Sequence, residues 1–430
     1  MKLPRSCGRG TDPILIALTI ACTYSICCDL PISTTKLALI LIAVVTVLMH
    51  AVELAQAHWH NTPRPTIPLS TTVTNASIRW FGTMTGLVLV LFAWWLFTEY
   101  RDPIYRPLFD SLPLLVAVIP VITAICIFYT EWRLGPAENP GWQYWSLLRG
   151  RTQDIDWRFV RDDLIGVAVK GFFFPINFVD LIYYLTAVRN VGFPGASATW
   201  PQIVNYAMAA FGLVMIAALI PGYMFGSRLF GTQIRKIDHS LFGWVVTLCC
   251  YPPLLGAVFY NWLNYAPVTQ NGSPEPWVSA FSHIPALFYV VGGAIIITEI
   301  FHCWGEAAFN LRSSNLSNRG IITNGPYRFC KHPVYVAKCI GWFLVWLPFQ
   351  NETALQYLRN VLLFLGVCGI YLMRGLAEEK LLSSDPNYVA YALWIDEHGI
   401  FARLGRAMPA MSFRWRLRAW KHQHETAPPS

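Results

Sequence analysis

Charge is scarce in this sequence. Of its 430 residues only 13% are Asp, Glu, Lys or Arg, against about 25% in soluble proteins, which excludes an ordinary water-soluble domain. Paired cysteines are missing too. The eleven cysteines mostly lie inside apolar runs and none forms C-x-x-C, so neither a disulfide framework nor a zinc site is indicated. There is no internal repeat and no long low-complexity linker. No small-residue A-x-A cleavage site follows the first apolar run, where Lys2, Arg5 and Arg9 would otherwise open a signal peptide; a retained anchor is expected instead. Nor is there a concentrated basic patch. The formal charge of +8 is spread between apolar segments, so nucleic acid is not an expected partner.

What remains is apolar sequence, 55% of the chain. A spanning helix needs roughly 20 mainly apolar residues, and ten segments qualify as candidates: 12–28, 36–57, 81–98, 111–130, 164–188, 202–221, 240–263, 278–300, 334–350 and 355–373. The expected fold is all-α, a polytopic helical membrane protein of about ten spans. The ninth segment is short and contains Gly341, which suggests a re-entrant helix. Lys and Arg alternate between rich and poor loops, as they do across cytoplasmic and outer faces. The rich set includes the N-terminus, Arg149 to Arg161, Arg312 to Lys331 and the tail after Arg374, which puts both termini on the cytoplasmic side.

One stretch concentrates polar chemistry at such a boundary: Gly320 to Gly341, GIITNGPYRFCKHPVYVAKCIG. Asn324, Gly325 and Pro326 signal a turn, and Pro333 fixes the backbone after His332. Tyr327, Arg328, Lys331, His332 and Tyr335 are thereby held near the bilayer surface. One hairpin later come Arg374, Glu378 and Glu379. Arg374 and Glu378 share a helix face, a spacing that also suits a snorkelling arginine with an exposed ion pair. Ser383, Ser384 and Asp385 then offer a cap for an amphipathic stretch with Tyr388 and Tyr391.

The pattern G-P-Y-R-x-x-[RK]-H-P-x-Y, followed by R-x-x-x-E-E and Y-x-x-Y, resembles the integral-membrane S-adenosylmethionine (SAM) methyltransferases of the isoprenylcysteine carboxyl methyltransferase and phospholipid methyltransferase type. The likeness covers Arg312 to Gly399, with Lys331 where Arg is usual and Ala337 where Gly is common. It implies that His332, Tyr335, Glu378 and Glu379 bind SAM, with Tyr327, Arg328 and Lys331 beside them. Arg374 would face the acceptor, with Glu378 as the second catalytic group. SAM carries an ammonium, a carboxylate, a ribose, an adenine and a sulfonium, which call for carboxylates, a cation, hydroxyls and aromatic faces in one cleft. A cytoplasmic cofactor pocket formed by the C-terminal helices and loops is expected, and the acceptor would be lipidic or membrane-bound, a carboxylate or an amine.

On this reading residues 1–270 form a transmembrane region of unassigned role, 271–405 the methyltransferase-like core, and 406–430 a basic interfacial or disordered tail. The competing function is an NADPH-dependent sterol or isoprenoid double-bond reductase, which has a similar loop but looks for Asn where Val334 stands. A transporter or scaffold is disfavoured, because the polar residues gather at one face and not at the midplane of broken helices. The repeated H-x-x-x-H and H-x-x-H-H boxes of membrane di-iron enzymes are missing, so His50, Glu53, His58 and His60 read as interfacial groups and no metal is expected. Lys170 and Asp180 are ionisable groups in a span and could line an acceptor tunnel. His302 and Glu306 share a helix face beside the signature loop. Asn271 and Asn351 stand in sequons within expected outward loops.

Overall fold

The computed structural model describes residues 2–28, 30–56, 63–265, 276–348 and 353–426. The chain is mostly helical. Its helices are α1 (Asp12–Cys27), α2 (Thr34–Gln56), α3 (Leu69–Leu96), α4 (Arg106–Leu134), α5 (Pro140–Leu148), α6 (Trp157–Val191), α7 (Trp200–Met224), α8 (Leu241–Leu248), α9 (Pro276–Phe281), α10 (Pro285–Ala307), α11 (Pro333–Trp346), α12 (Ala354–Leu382), α13 (Pro386–His398), α14 (Ala402–Ala407) and α15 (Phe413–Thr426). Two strands of two residues each, β1 (Lys236–Ile237) and β2 (Ser317–Asn318), pair antiparallel with Lys236 opposite Asn318.

Among the described residues, seven helices are long and apolar enough to cross a membrane: α2, α3, α4 with the short turn before it, α6, α7, α10 and α12. The expectation of about ten spans is therefore met in seven segments. The first and ninth form helices of 16 and 14 residues. At 1.5 Å per residue these reach about 24 and 21 Å, short of a hydrocarbon core of about 30 Å. The seventh is not one helix. It breaks at Tyr251–Pro253, where two prolines deny the ladder its N–H donors, into α8 and a π-helical turn over Gly256–Trp262. Gly341 does not interrupt α11: it is buried, and a Cβ there would stand 3.4 Å from Thr298 Cγ2 on α10, so it brings the two helices close.

Local caps account for several helix starts. The Asp156 carboxylate accepts from the backbone of Arg158 and Phe159 at the start of α6, and Thr353 with Gln356 forms a capping box on α12. Asp385 caps α13 by accepting from Asn387 N at 2.9 Å, with Pro386 in the first turn. The largest apolar core joins α1, α2, α6, α7 and α10 through residues such as Leu41, Leu181, Ala217 and Ala307. A second, smaller core gathers α13, the loop before α11, and Phe413 of α15. The candidate site lies beside that second core.

Candidate functional site

The loop from Asn310 to His332 makes one wall of the site, and it is pinned from three directions. Arg319, 2% exposed, donates to the carbonyls of Thr232 at 2.7 Å, Ser313 at 3.0 Å and Phe225 at 2.6 Å, and also to that of Gly222. Burial draws its pKa down to about 10, so it remains charged at neutral pH. From the far end of the chain, the Tyr391 hydroxyl donates to the carbonyls of Tyr327 at 2.7 Å and Cys330 at 3.2 Å. The N-terminal segment runs along the outside: Cys7 N bonds Ile321 O at 2.9 Å, Thr323 bonds Ser6 and Pro4, and the Asn324 side chain bonds Gly8 O.

At the end of that loop the polar residues converge. His332 and Tyr335 stack in parallel with ring centres 5.5 Å apart, and the Tyr335 hydroxyl donates to Glu378. His332 Nδ1 lies 3.6 Å from Glu378 Oε2, and its Nε2 lies 3.4 Å from Glu379 Oε1. Arg374 Nε stands 3.5 Å from Glu378. Its guanidinium carbon sits 5.0 Å from the centre of the Tyr335 ring and 5.5 Å from that of Tyr251, and a further N–H donates to Asn315. Asn315 in turn donates to the hydroxyls of Tyr223 at 2.8 Å and Tyr251 at 3.1 Å. Arg374 is 5% exposed; it does not snorkel outward but closes the inner end of the site.

Behind His332 lies a second ionic layer. Glu379, 2% exposed, is met by Lys331 at 3.2 Å, by His332 and by Arg416 of α15. Lys331 also reaches Asp396 at 3.0 Å, whose other oxygen accepts from Ser412 and from Arg414 N. Burial disfavours the imidazolium of His332, but the hydrogen bonds and charges of Glu378 and Glu379 outweigh it and hold its pKa above the usual histidine value. A group raised on folding stabilises the fold fully below its unfolded pKa of about 6.5, and that stabilisation is lost as pH rises through the folded value. The thermal midpoint in detergent should fall as pH is raised from about 6.5, with a smaller fall in His332→Gln. Parallel pH profiles for parent and variant would refute the assignment.

These residues open onto a cavity of about 150 Å³. Tyr327, Lys331, His332, Tyr335, Arg374 and Glu378 line it. Arg328 does not: it is exposed on the outer side of the turn Gly325–Arg328, with Tyr327 turned in. Glu379 is also absent from the lining and serves the ionic layer behind. The lining further includes Asn315, Tyr251, Ser313 and Ser317, which motif reasoning missed; the polar run RSSNLSNR at 312–319 was the signal for all but Tyr251. Several buried polar atoms on the lining lack an aligned hydrogen-bond partner, among them His332 Nε2, Arg374 Nε, Ser313 Oγ, Ser317 Oγ and the Tyr388 hydroxyl. Buried polar groups are ordinarily satisfied, so a lining with several unaligned ones suits a polar ligand.

Other candidates fall elsewhere. Glu53 pairs with Arg312, His50 bonds Thr46 O and meets Phe225 and Phe230 edge-on, and His58 and His60 lie outside the described residues, as do Asn271 and Asn351. On α6 it is Asn177, between Lys170 and Asp180, that lines the cavity. Glu306 lines it too and pairs with Lys338 at 3.5 Å, whereas His302 turns to Glu299 at 3.3 Å. Comparison with family models, curated proteins and solved structures gave no match to this chain.

Proposed function

We propose that this protein is a membrane-embedded methyltransferase that takes its methyl group from SAM and gives it to a lipidic or membrane-bound acceptor. The observation that carries the proposal is the convergence of His332, Tyr335, Arg374 and Glu378 on one cavity, from two motifs separated by a helical hairpin. The residues suit the cofactor group by group. Glu378 offers a carboxylate to the ammonium, and Lys331, His332 and Arg374 offer positive charge to the carboxylate. Asn315, Ser313 and Ser317 offer hydrogen bonds to a ribose, and the tyrosines offer aromatic faces to the adenine and sulfonium. SAM, when bound, supplies an electrophilic methyl.

The chain's own contribution is then alignment and exclusion of water. Tyr335 and His332 fix the Glu378 carboxylate, and Arg374 fixes the inner end of the cavity through Asn315. If the acceptor is an amine, Glu378 is the candidate to take its proton. We place the cavity on the cytoplasmic side, where SAM is found, on the strength of the Lys and Arg distribution.

Isothermal titration of the purified full chain with SAM, its demethylated product and NADPH tests the reading. Binding of the first two without NADPH is expected. Tight NADPH binding without SAM binding would replace it with the reductase reading.

A further inference from the structure

Outside the cavity lining, α5 lies across the N-terminal half of α3 in backbone contact. A Cβ on Gly141 would stand 1.9 Å from Ile78 O, and one on Gly82 would stand 2.6 Å from Gly141 N and Cα. Two glycines therefore fix this crossing, and any side chain at either would push the helices apart. Beside the crossing runs a groove. Its apolar wall comes from Val73, Ile78 and Phe81 on α3 and from Trp142 and Trp145, three apart on one face of α5. Trp145 meets Phe81 edge-on at 5.9 Å.

The polar part of the groove is cationic. Arg149, the C-cap of α5, lays its guanidinium over the Trp145 ring at 4.7 Å. Thr74 and Ser77, three apart on α3, add two hydroxyls. Among the described residues no carboxylate lines the groove, and neither the Arg149 guanidinium nor these hydroxyls has a protein hydrogen-bond partner. The charge of the groove thus complements an anion.

Position decides which anion. α3 has 28 residues, about 42 Å of helix against a hydrocarbon core of about 30 Å, so its first turns extend into the headgroup layer. Tryptophans favour that layer, and Arg149 belongs to the Lys- and Arg-rich loop set that faces the leaflet carrying anionic lipid.

We propose that this groove binds one anionic phospholipid. Its phosphodiester accepts from Arg149 and from the hydroxyls of Ser77 and Thr74, and an acyl chain lies against Val73, Ile78, Phe81 and Trp142. The assignment is independent of what the cavity does.

Native mass spectrometry of the full chain, released from detergent micelles doped with phosphatidylglycerol or phosphatidylcholine, tests it. Phosphatidylglycerol should be retained preferentially. Arg149→Gln, at an exposed position outside the core, should keep the parent's thermal midpoint and weaken that retention about tenfold, as expected for one charge-assisted bond. Trp145→Ala should weaken retention of both lipids, and Arg158→Gln, an exposed arginine in the first turn of α6, should change neither. The proposal fails if Arg149→Gln retains phosphatidylglycerol like the parent, if phosphatidylcholine is held equally well, if Arg158→Gln loses as much, or if soluble glycerol phosphate displaces the lipid at equal concentration.

Discussion

Glu378→Gln should bind SAM ten- to a hundredfold more weakly than the parent. The Glu378 carboxylate faces the cavity and is already oriented by Tyr335, His332 and Arg374, so little ordering remains for it to lose on binding. A charge-assisted hydrogen bond contributes about 1.5 to 3 kcal/mol, and each 1.4 kcal/mol is a factor of about ten in affinity. Gln keeps the shape and one acceptor but removes the charge that would meet an ammonium. His332→Ala should weaken binding similarly, because it removes the ring that stacks on Tyr335 and spans both glutamates. The double variant should fall short of the sum, since the two residues share one contact network. Arg374→Ala should lower affinity as well as turnover. The sequence separates an acceptor-side arginine from a cofactor-side glutamate, but the guanidinium bridges Asn315 to Glu378. Calorimetry that finds Glu378→Gln and His332→Ala unchanged for SAM would remove Glu378 from the proposed cofactor site.

Glu379→Ala should be the most destabilising single change at the site. Removing one member of a buried ion pair costs about 3 to 5 kcal/mol, because the partner is left charged and uncompensated. Here Lys331, His332 and Arg416 all lean on one carboxylate that is 2% exposed. Lys331 keeps Asp396 as a second partner, so the loss should sit toward the lower end of that range. Arg416→Ala should destabilise less, since Glu379 would retain two cations. Combining Arg416→Ala with Glu379→Ala should cost less than the two changes added, the signature of a direct pair. Thermal midpoints of the four proteins in one detergent measure this. Strict additivity would mean that α15 is not coupled to Glu379.

The contrast between Glu378 and Glu379 shows where sequence reading reached and where it stopped. Hydropathy locates the long helices because twenty apolar residues leave the backbone few alternatives in a bilayer. It overlooked the break at Pro252 and Pro253, since an average over a window does not notice two missing N–H groups. The motif spacing correctly brought His332 to Glu378, because a helical hairpin returns its ends to one face. It could not tell adjacent residues apart. Tyr327 and Arg328 are neighbours on a tight turn and point to opposite sides; Glu378 and Glu379 are neighbours on a helix and diverge by about 100°. The tail was harder still. Arg414, Arg416 and Arg418 have the composition of an interfacial segment, and composition carries no trace of Phe413 at 0% exposure or of the buried carboxylate that holds Arg416.

The contact of the N-terminal segment with the signature loop bears on the order in which the protein is made. Thr323 and Asn324 are held by Pro4, Ser6 and Gly8, partners more than 310 residues earlier in the chain. A nascent chain emerges N-terminus first, so these early residues wait through the synthesis of every long helix but α12 before the loop arrives. The loop then waits for Tyr391, and Glu379 waits for Arg416. Completion of the cavity's support thus waits until Arg416 has been made, and a ribosome that stops short of Arg416 releases a membrane-inserted protein whose cavity lacks part of its supporting wall.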